Sequence, residues 1–276
     1  MASEVIERKL YGDRYHLVHN PNARGRAARY TVTDTKSGEV TKPKGATTIL
    51  GQTLAKDLMQ WAVDCAVEYL QGKLPVITDQ DLKDAAEEYK VRRDAGAGTG
   101  SEAHALVEMY LKNGGKFTPA WSQVSKEAAN AYKAFVGWFE DVKPEVINVE
   151  EVIYSHEFQY AGTYDCMLKI DGKVYLCDLK TTNVSRKAPN GVYAENFVQL
   201  GAYAAAHEEQ RLFEGEKSKL PQVEGLMVIS AKKNGKLDIV TESELGLTLE
   251  DCMSMFKRVF NIYQFMNYTT QQLGGK

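Results

Sequence analysis

No stretch of the 276 residues approaches the ~20 consecutive apolar positions that a membrane-spanning helix needs. The first residues, MASEVIERKLYGDRYHLV, carry acidic side chains early and no apolar core, which argues against a secretory signal and for a cytoplasmic protein. Cysteine is scarce: Cys65, Cys166, Cys177 and Cys252 are scattered with no CxxC or Cys/His spacing. That excludes a zinc ribbon, a disulfide scaffold and an iron–sulfur cluster, and leaves four small buried hydrophobes of a reducing compartment. There is no internal repeat, no low-complexity tract and no GxxxxGK[ST] loop, so any unwinding of nucleic acid would need a partner. An excess of positive charge is missing as well. The formal net charge is -3, which does not mark a general nucleic-acid binder, so any such role has to rest on local charge.

What remains is an ordinary globular composition, 43% hydrophobic and 26% charged, in a chain long enough for one large α/β domain or two small ones. Residues 1–45 read as an N-terminal arm. Arg29 to Asp34 is β-like and Lys36-Ser37-Gly38-Glu39 a turn, giving a short hairpin. Residues 46–143 read as helical. Leu54, Leu58, Trp61, Ala62, Cys65 and Tyr69 recur at helical spacing. A charged helix starts at Asp79 and is expected to break at Gly96-Ala97-Gly98-Thr99-Gly100. The next helix, Ser101 to Lys112, carries His104 and Glu108, and another spans Lys126 to Phe139. Residues 144–276 change character. Strands are expected at Val146 to Tyr154, Gly162 to Ile170 and Val174 to Leu179, with a tight turn at Asp171-Gly172. A helix from about Ala194 to Gln210, two short strands and a closing helix complete an α/β core beside a helical N-terminal region.

The chemistry centres on Asp165, Asp178 and Lys180. A hairpin turning at Asp171-Gly172 pairs residue i with a partner near 343 minus i, which sets Asp165 opposite Asp178. Cross-strand Cβ atoms lie ~5 Å apart, close enough for two carboxylates to share a hard cation. Asp178 and Lys180 are two apart and point to one face. Buried like charges are costly unless a cation sits between them. A carboxylate-bound Mg²⁺ or Mn²⁺ polarises a phosphate and lowers the pKa of bound water, and Lys180 is placed to orient that water or meet developing negative charge. A D-x-K triplet alone is weak; here it sits in the buried run Val174 to Leu179, where unpaired charge is rare.

Gly162-Thr163-Tyr164-Asp165 followed by Asp178-Leu179-Lys180 resembles the core motif of the PD-(D/E)XK nuclease superfamily. Within it the chain is similar to the RecB-type exonuclease branch, which includes phage-encoded exonucleases, the mitochondrial genome maintenance exonuclease and CRISPR-associated adaptation nucleases. Gly100 to His104 resembles the G-x-x-x-H motif of that branch, and Gln199 with Tyr203 its Q-x-x-x-Y motif. The ATTIL stretch with Lys56, Leu58 and Trp61 resembles the lead-in of phage members. Together these matches run from about residue 45 to 205.

The resemblance implies a restriction-endonuclease-like fold: a mixed central β-sheet flanked by helices. It implies a DNA exonuclease using one or two Mg or Mn ions, held by Asp165, Asp178, His104 and the backbone carbonyl of Leu179. An imidazole ligand leans the metal towards Mn²⁺. Gln199 and Tyr203 are expected to hold the lysine or contact the DNA backbone; the bland reading is a polar edge beside a core stripe. Glu151 is either a metal-proximal carboxylate or a strand-end charge. Glu108 either stands behind the ligands or is a surface residue. The iron–sulfur members carry three cysteines near the C-terminus; here only Cys252 lies in the last third, so no cluster is expected.

Phosphate contacts need cations. Arg24, Arg26 and Arg29 in the arm, Arg92 and Arg93, Lys232 and Lys233, and above all Arg186 and Lys187 close to Lys180 are the expected DNA contacts. The partner is DNA with free ends or single strands. A helicase, single-strand-binding protein or recombinase is the company such an enzyme would keep, in a bacterium or a phage-infected host cell. The competing expectations are a catalytically weak DNA-binding or recombination subunit on the same fold, a single-strand endonuclease, and a metal-dependent hydrolase of another class.

Overall fold

A computed structural model describes residues 4–23, 27–54, 58–182 and 189–273. The chain opens with β1 (Ile6–Leu10), β2 (Tyr15–His19), β3 (Tyr30–Asp34) and β4 (Val40–Thr41), an antiparallel sheet in sequence order. The expected hairpin is therefore half of a four-stranded sheet. The missed half turns through Tyr11, Gly12 and Asp13, all at positive φ. One face of this sheet, with Leu10, Tyr15, Leu17 and Val32, packs on Val152, Tyr154 and Ala161 of the main sheet. The Tyr11 hydroxyl donates to the Tyr154 carbonyl at 2.9 Å.

Next come β5 (Lys44–Gly45), α1 (Ala46–Thr53), α2 (Met59–Gln71), α3 (Asp79–Lys112) and α4 (Lys126–Val142). The stripe from Leu54 to Tyr69 is not one helix: Leu54 ends α1, and in α2 only Cys65 is buried. The glycine run does not break α3 either, which continues for 34 residues. Each glycine costs ~1 kcal/mol against alanine. The helix is fixed from both ends, by a Thr78–Asp81 capping box and by burial of Ala103, Leu106, Val107, Tyr110 and Leu111. Tertiary packing outweighs propensity here.

The remaining elements are β6 (Glu145–Ser155), β7 (Tyr160–Ile170), β8 (Lys173–Thr182), α5 (Ala194–Glu214), β9 (Gly225–Lys232), β10 (Leu237–Thr241) and α6 (Leu249–Gln272). The sheet runs β10-β9-β8-β7-β5, with β6 also paired to β7. β8 and β9 are parallel; β6, β7 and β8 are antiparallel to one another in turn. The sheet is therefore mixed. One face packs on α1, α5 and α6, the other on α4 and the C-terminal third of α3. No helix among the described residues is long and apolar enough to cross a membrane.

β7 is the pivot. One edge pairs with β6 along its length. The other pairs with β8 over residues 166–170 and with β5 only at Tyr160 and Ala161. Residues 162–165 lie between those two ladders, and the functional motif falls there.

Candidate active site

The β7–β8 register is Cys166↔Cys177 and Met167↔Leu176, the sum of 343 that an Asp-Gly turn dictates. Beyond Cys166 the ladder stops. The amide of Leu179 instead donates to Asp165 Oδ2 at 2.6 Å, so the carboxylate satisfies a backbone group at the point where the strands part. His104, on the buried third of α3, brings Nδ1 to 3.7 Å from Asp165 Oδ1.

Asp178 is 2% exposed. Lys180 Nζ donates to its Oδ1 at 2.8 Å and stands 2.7 Å from Oδ2. Gln199 Nε2 donates to the same Oδ1 at 3.1 Å and to the Tyr203 hydroxyl at 3.0 Å. Burial, reinforced by Asp165, pushes the Asp178 carboxyl up to about 6 although Lys180 opposes it. Burial works against the charge of Lys180, but Asp178 and Asp165 outweigh it and hold the amine above its ordinary value. Burial, then the charge of Asp178, drives Tyr203 well up, so its phenol stays neutral. Tyr203 also explains the glycine of the motif: a Cβ on Gly162 would lie 2.5 Å from its ring.

Asp165, Asp178, Lys180, His104, Leu179, Gln199 and Tyr203 thus converge. Two expectations need correction. Gln199 grips Asp178 rather than the lysine, and Tyr203, 3% exposed, lies beneath the site instead of on a DNA-facing surface. Glu151 is not beside the carboxylates: Arg8 Nε donates to its Oε1 at 2.7 Å, which ties the N-terminal sheet to β6. Its neighbour Glu150 takes the place instead. Val149↔Cys166 and Glu151↔Tyr164 set Glu150 level with Asp165, and both line a small cavity with His104 and Glu108. Burial pushes Glu150 up to about 8, with Asp165 and Glu108 adding to the effect. The resemblance pointed one residue on, and Glu150 reaches the site because it adopts φ 52° and a register shift lies between Val146 and Asn148. The one available signal was two consecutive glutamates within a β-branched run.

The cations sort differently from expectation. Arg92 is held by Glu68 and Glu88, and Arg93 by Asp94. Lys232 is buried against Asp238. Arg24, Arg26, Lys56, Arg186 and Lys187 lie outside the described residues. Arg29 is exposed, and its Nε donates to His19 Nε2 at 3.4 Å. Burial and Arg29 push His19 down to about 4, so its imidazole is a neutral acceptor stacked on Tyr30. The Tyr30 hydroxyl reaches Thr163 Oγ1 at 3.3 Å, two residues from Asp165, which brings Arg29 to the border of the site.

Among the described residues, no three His, Cys, Asp or Glu side chains are arranged to hold a metal ion as they stand. The donor chemistry nevertheless suits a hard divalent cation: two aspartate carboxylates held close together, one imidazole, and a buried Asp178 whose Oδ2 faces only the Lys180 ammonium at 2.7 Å. The fit lies in donor type and surplus negative charge, short of a closed coordination geometry.

A mixed sheet between helical layers, with two aspartates and a lysine where β7 and β8 part, defines a nuclease of one large class. The family model of the PD-(D/E)XK nuclease superfamily matches residues 77–261, and the chain belongs to that superfamily. The match reaches well into α6 and leaves out residues 45–76, including the lead-in. No curated protein matches the sequence. Among solved structures, an alkaline exonuclease from Laribacter hongkongensis aligns over 63% of this chain and 86% of its own, at 11% identity and a TM-score of 0.24, too loose to bear on activity.

Proposed function

We propose that the chain is a metal-dependent DNA exonuclease that hydrolyses phosphodiester bonds at ends or in single strands, in replication, recombination or repair. The observation that carries this reading is the convergence of Asp165, Asp178 and Lys180 where β7 and β8 part, with Glu150 and His104 alongside. Asp165, Asp178 and His104, with the Leu179 carbonyl, are the residues that would hold Mg²⁺ or Mn²⁺. When bound, such an ion supplies charge for the scissile phosphate and a more acidic water.

The protein's own groups do the rest. Lys180 stays protonated beside Asp178 and presents N–H donors to the attacking water or to the phosphoryl oxygen gaining charge. Gln199, fixed by a neutral Tyr203, keeps Asp178 in one orientation. Glu150, favouring its protonated form, offers an O–H donor beside Asp165 and could act as a base only after losing that proton. Arg29, aligned by His19, offers a guanidinium to the DNA backbone next to the reacting phosphate. Arg186 and Lys187 keep their proposed role in the same path.

A second reading, a DNA-binding subunit with little catalysis, draws on one observation. Lys180 and Gln199 already occupy Asp178, and no three ligands are arranged for metal. Incubation of end-labelled single- and double-stranded DNA with Mg²⁺ or Mn²⁺, beside Asp165→Ala and Lys180→Ala, decides between them. Degradation by wild type alone supports the enzyme. No degradation by any protein with either metal, or equal degradation by all three, sinks it. Circular single-stranded DNA in the same assay separates exonuclease from endonuclease.

A further inference from the structure

α6 buries one stripe, Cys252, Phe256, Val259, Phe260 and Tyr263, against the body of the protein. A second stripe runs along its flank. Met255, Val259, Ile262, Met266, Thr269 and Leu273 follow one another at steps of four and three, the spacing of a helix–helix seam. Only Val259 of these is buried. Ile262 is 50% exposed and Leu273 87%, and beside the seam Phe265 is 67% exposed. From Gln264 to Leu273 no residue is buried, so the last two turns of α6 run past the core. A short isolated helical end is marginal in water, and an exposed apolar stripe of this extent marks a contact surface.

The chemistry of the stripe selects its occupant. The fifteen residues from Val259 to Leu273 contain no Asp, Glu, Lys or Arg. In a twofold pair the same patch lies on both sides, residue i meeting j and j meeting i, so a patch with a net charge repels its copy while an uncharged apolar one is its own complement. The seam residues carry no charge. Another exposed apolar region, α2 with the outer part of α3, behaves differently. Residues 58–95 carry eight acidic against five basic side chains, so pairing with its own copy would oppose two net-negative segments. We propose that the flank of α6 from Met255 to Leu273 is the interface through which two copies of this chain associate, helix on helix.

Light scattering on size-exclusion fractions across a concentration series tests this with the full chain. The expected mass is twice the 30.8 kDa of one chain. Ile262→Glu with Met266→Glu should weaken association by at least ~100-fold, and so should the corresponding double lysine variant. Gln264→Glu with Gln271→Glu adds the same charge to the same helix off the seam and should leave the dimer intact. Mixing the double glutamate and double lysine variants should restore a dimer, because opposite charges then face each other across the axis. Unchanged thermal melts of the variants verify that each is folded. A wild type that is monomeric throughout overturns the proposal and leaves the stripe to a helix of another protein. So does a dimer that survives the seam variants, or variants that stay monomeric when mixed.

Discussion

Two walls of the active site meet across β7 and β8, and they are built on opposite logic. On the α5 side every group has a partner. Lys180 and Gln199 hold Asp178, Tyr203 holds Gln199, and the ring of Tyr203 lies where Gly162 leaves room for it. On the α3 side three carboxyl groups gather around His104: Asp165, a Glu150 that burial and their proximity keep protonated, and Glu108, which Lys112 pairs at 2.5 Å. The first wall fixes geometry; the second stores an electrostatic demand that a cation would meet. In the proposed reading Asp178 joins the two walls, held in place from α5 and turned towards the same cation as Asp165 and His104. The substrate would lie between a rigid face and a charged one.

Substitutions can break this division of labour. The largest effect is expected at Asp165, which belongs to the charged wall and also caps the Leu179 amide. Asp165→Ala should lower single-turnover cleavage by at least ~10²-fold. Wild-type rates in that variant would end the proposed catalytic role. On the fixed wall, Gln199→Ala should cost ~10- to 100-fold in activity with metal affinity less affected, read from the metal dependence of the rate. If both walls respond to metal alike, the division is wrong.

Glu150 sharpens the comparison through pH. Its folded carboxyl titrates at about 8 against an ordinary 4.5, so between those values the unfolded chain releases its proton first. The raised group therefore subtracts stability progressively as pH climbs through that window, by up to roughly 5 kcal/mol. In chelator, Glu150→Gln should be more stable than wild type at pH 8.5 and indistinguishable from it near pH 4.5, by urea titration. Added Mn²⁺ should narrow the difference at high pH. Equal stability at both pH values would show that the wall carries no such tension. The smallest effect is expected one residue away. Glu151→Gln removes a half-exposed ion pair with Arg8, worth ~0–1 kcal/mol, and should leave cleavage within a factor of ~3 of wild type.

The sequence disclosed the two walls unequally. The Asp-Gly turn fixes the β7–β8 register by local geometry alone, and the four-residue spacing of Gln199 and Tyr203 fixes their common face. Those parts of the site were legible. The acidic position in β6 rested on resemblance alone, which pointed to Glu151 and left a strand-end charge as the alternative. The left-handed residue at Glu150 and the shift near Asn148 turn the neighbouring carboxyl to the site instead. Neither has a mark in the residue types, since glycine does not occupy the position. The continuity of α3 was hidden for another reason: three glycines speak locally for a break, and only the packing of Ala103 to Leu111 and the capping box at Thr78 overrule them. The pairs Arg92–Glu88 and Arg93–Asp94 are local and open to a reading of helix spacing; only the second partner of Arg92, Glu68 on another helix, was hidden.

That unbroken helix has a mechanical consequence. At 34 residues α3 is a rod about 50 Å long, clamped in the core at one end and held at the other chiefly by α2 and the residues just after it, through Arg92–Glu68 and Lys73–Asp81. His104 rides just inside the clamp. A stiff rod would turn any load on its outer end into torque at the imidazole. Gly96, Gly98 and Gly100 sit between load and clamp, where three positions without a side chain leave the backbone ladder to carry the stress. How firmly α2 holds the outer arm therefore sets how steadily His104 faces Asp165.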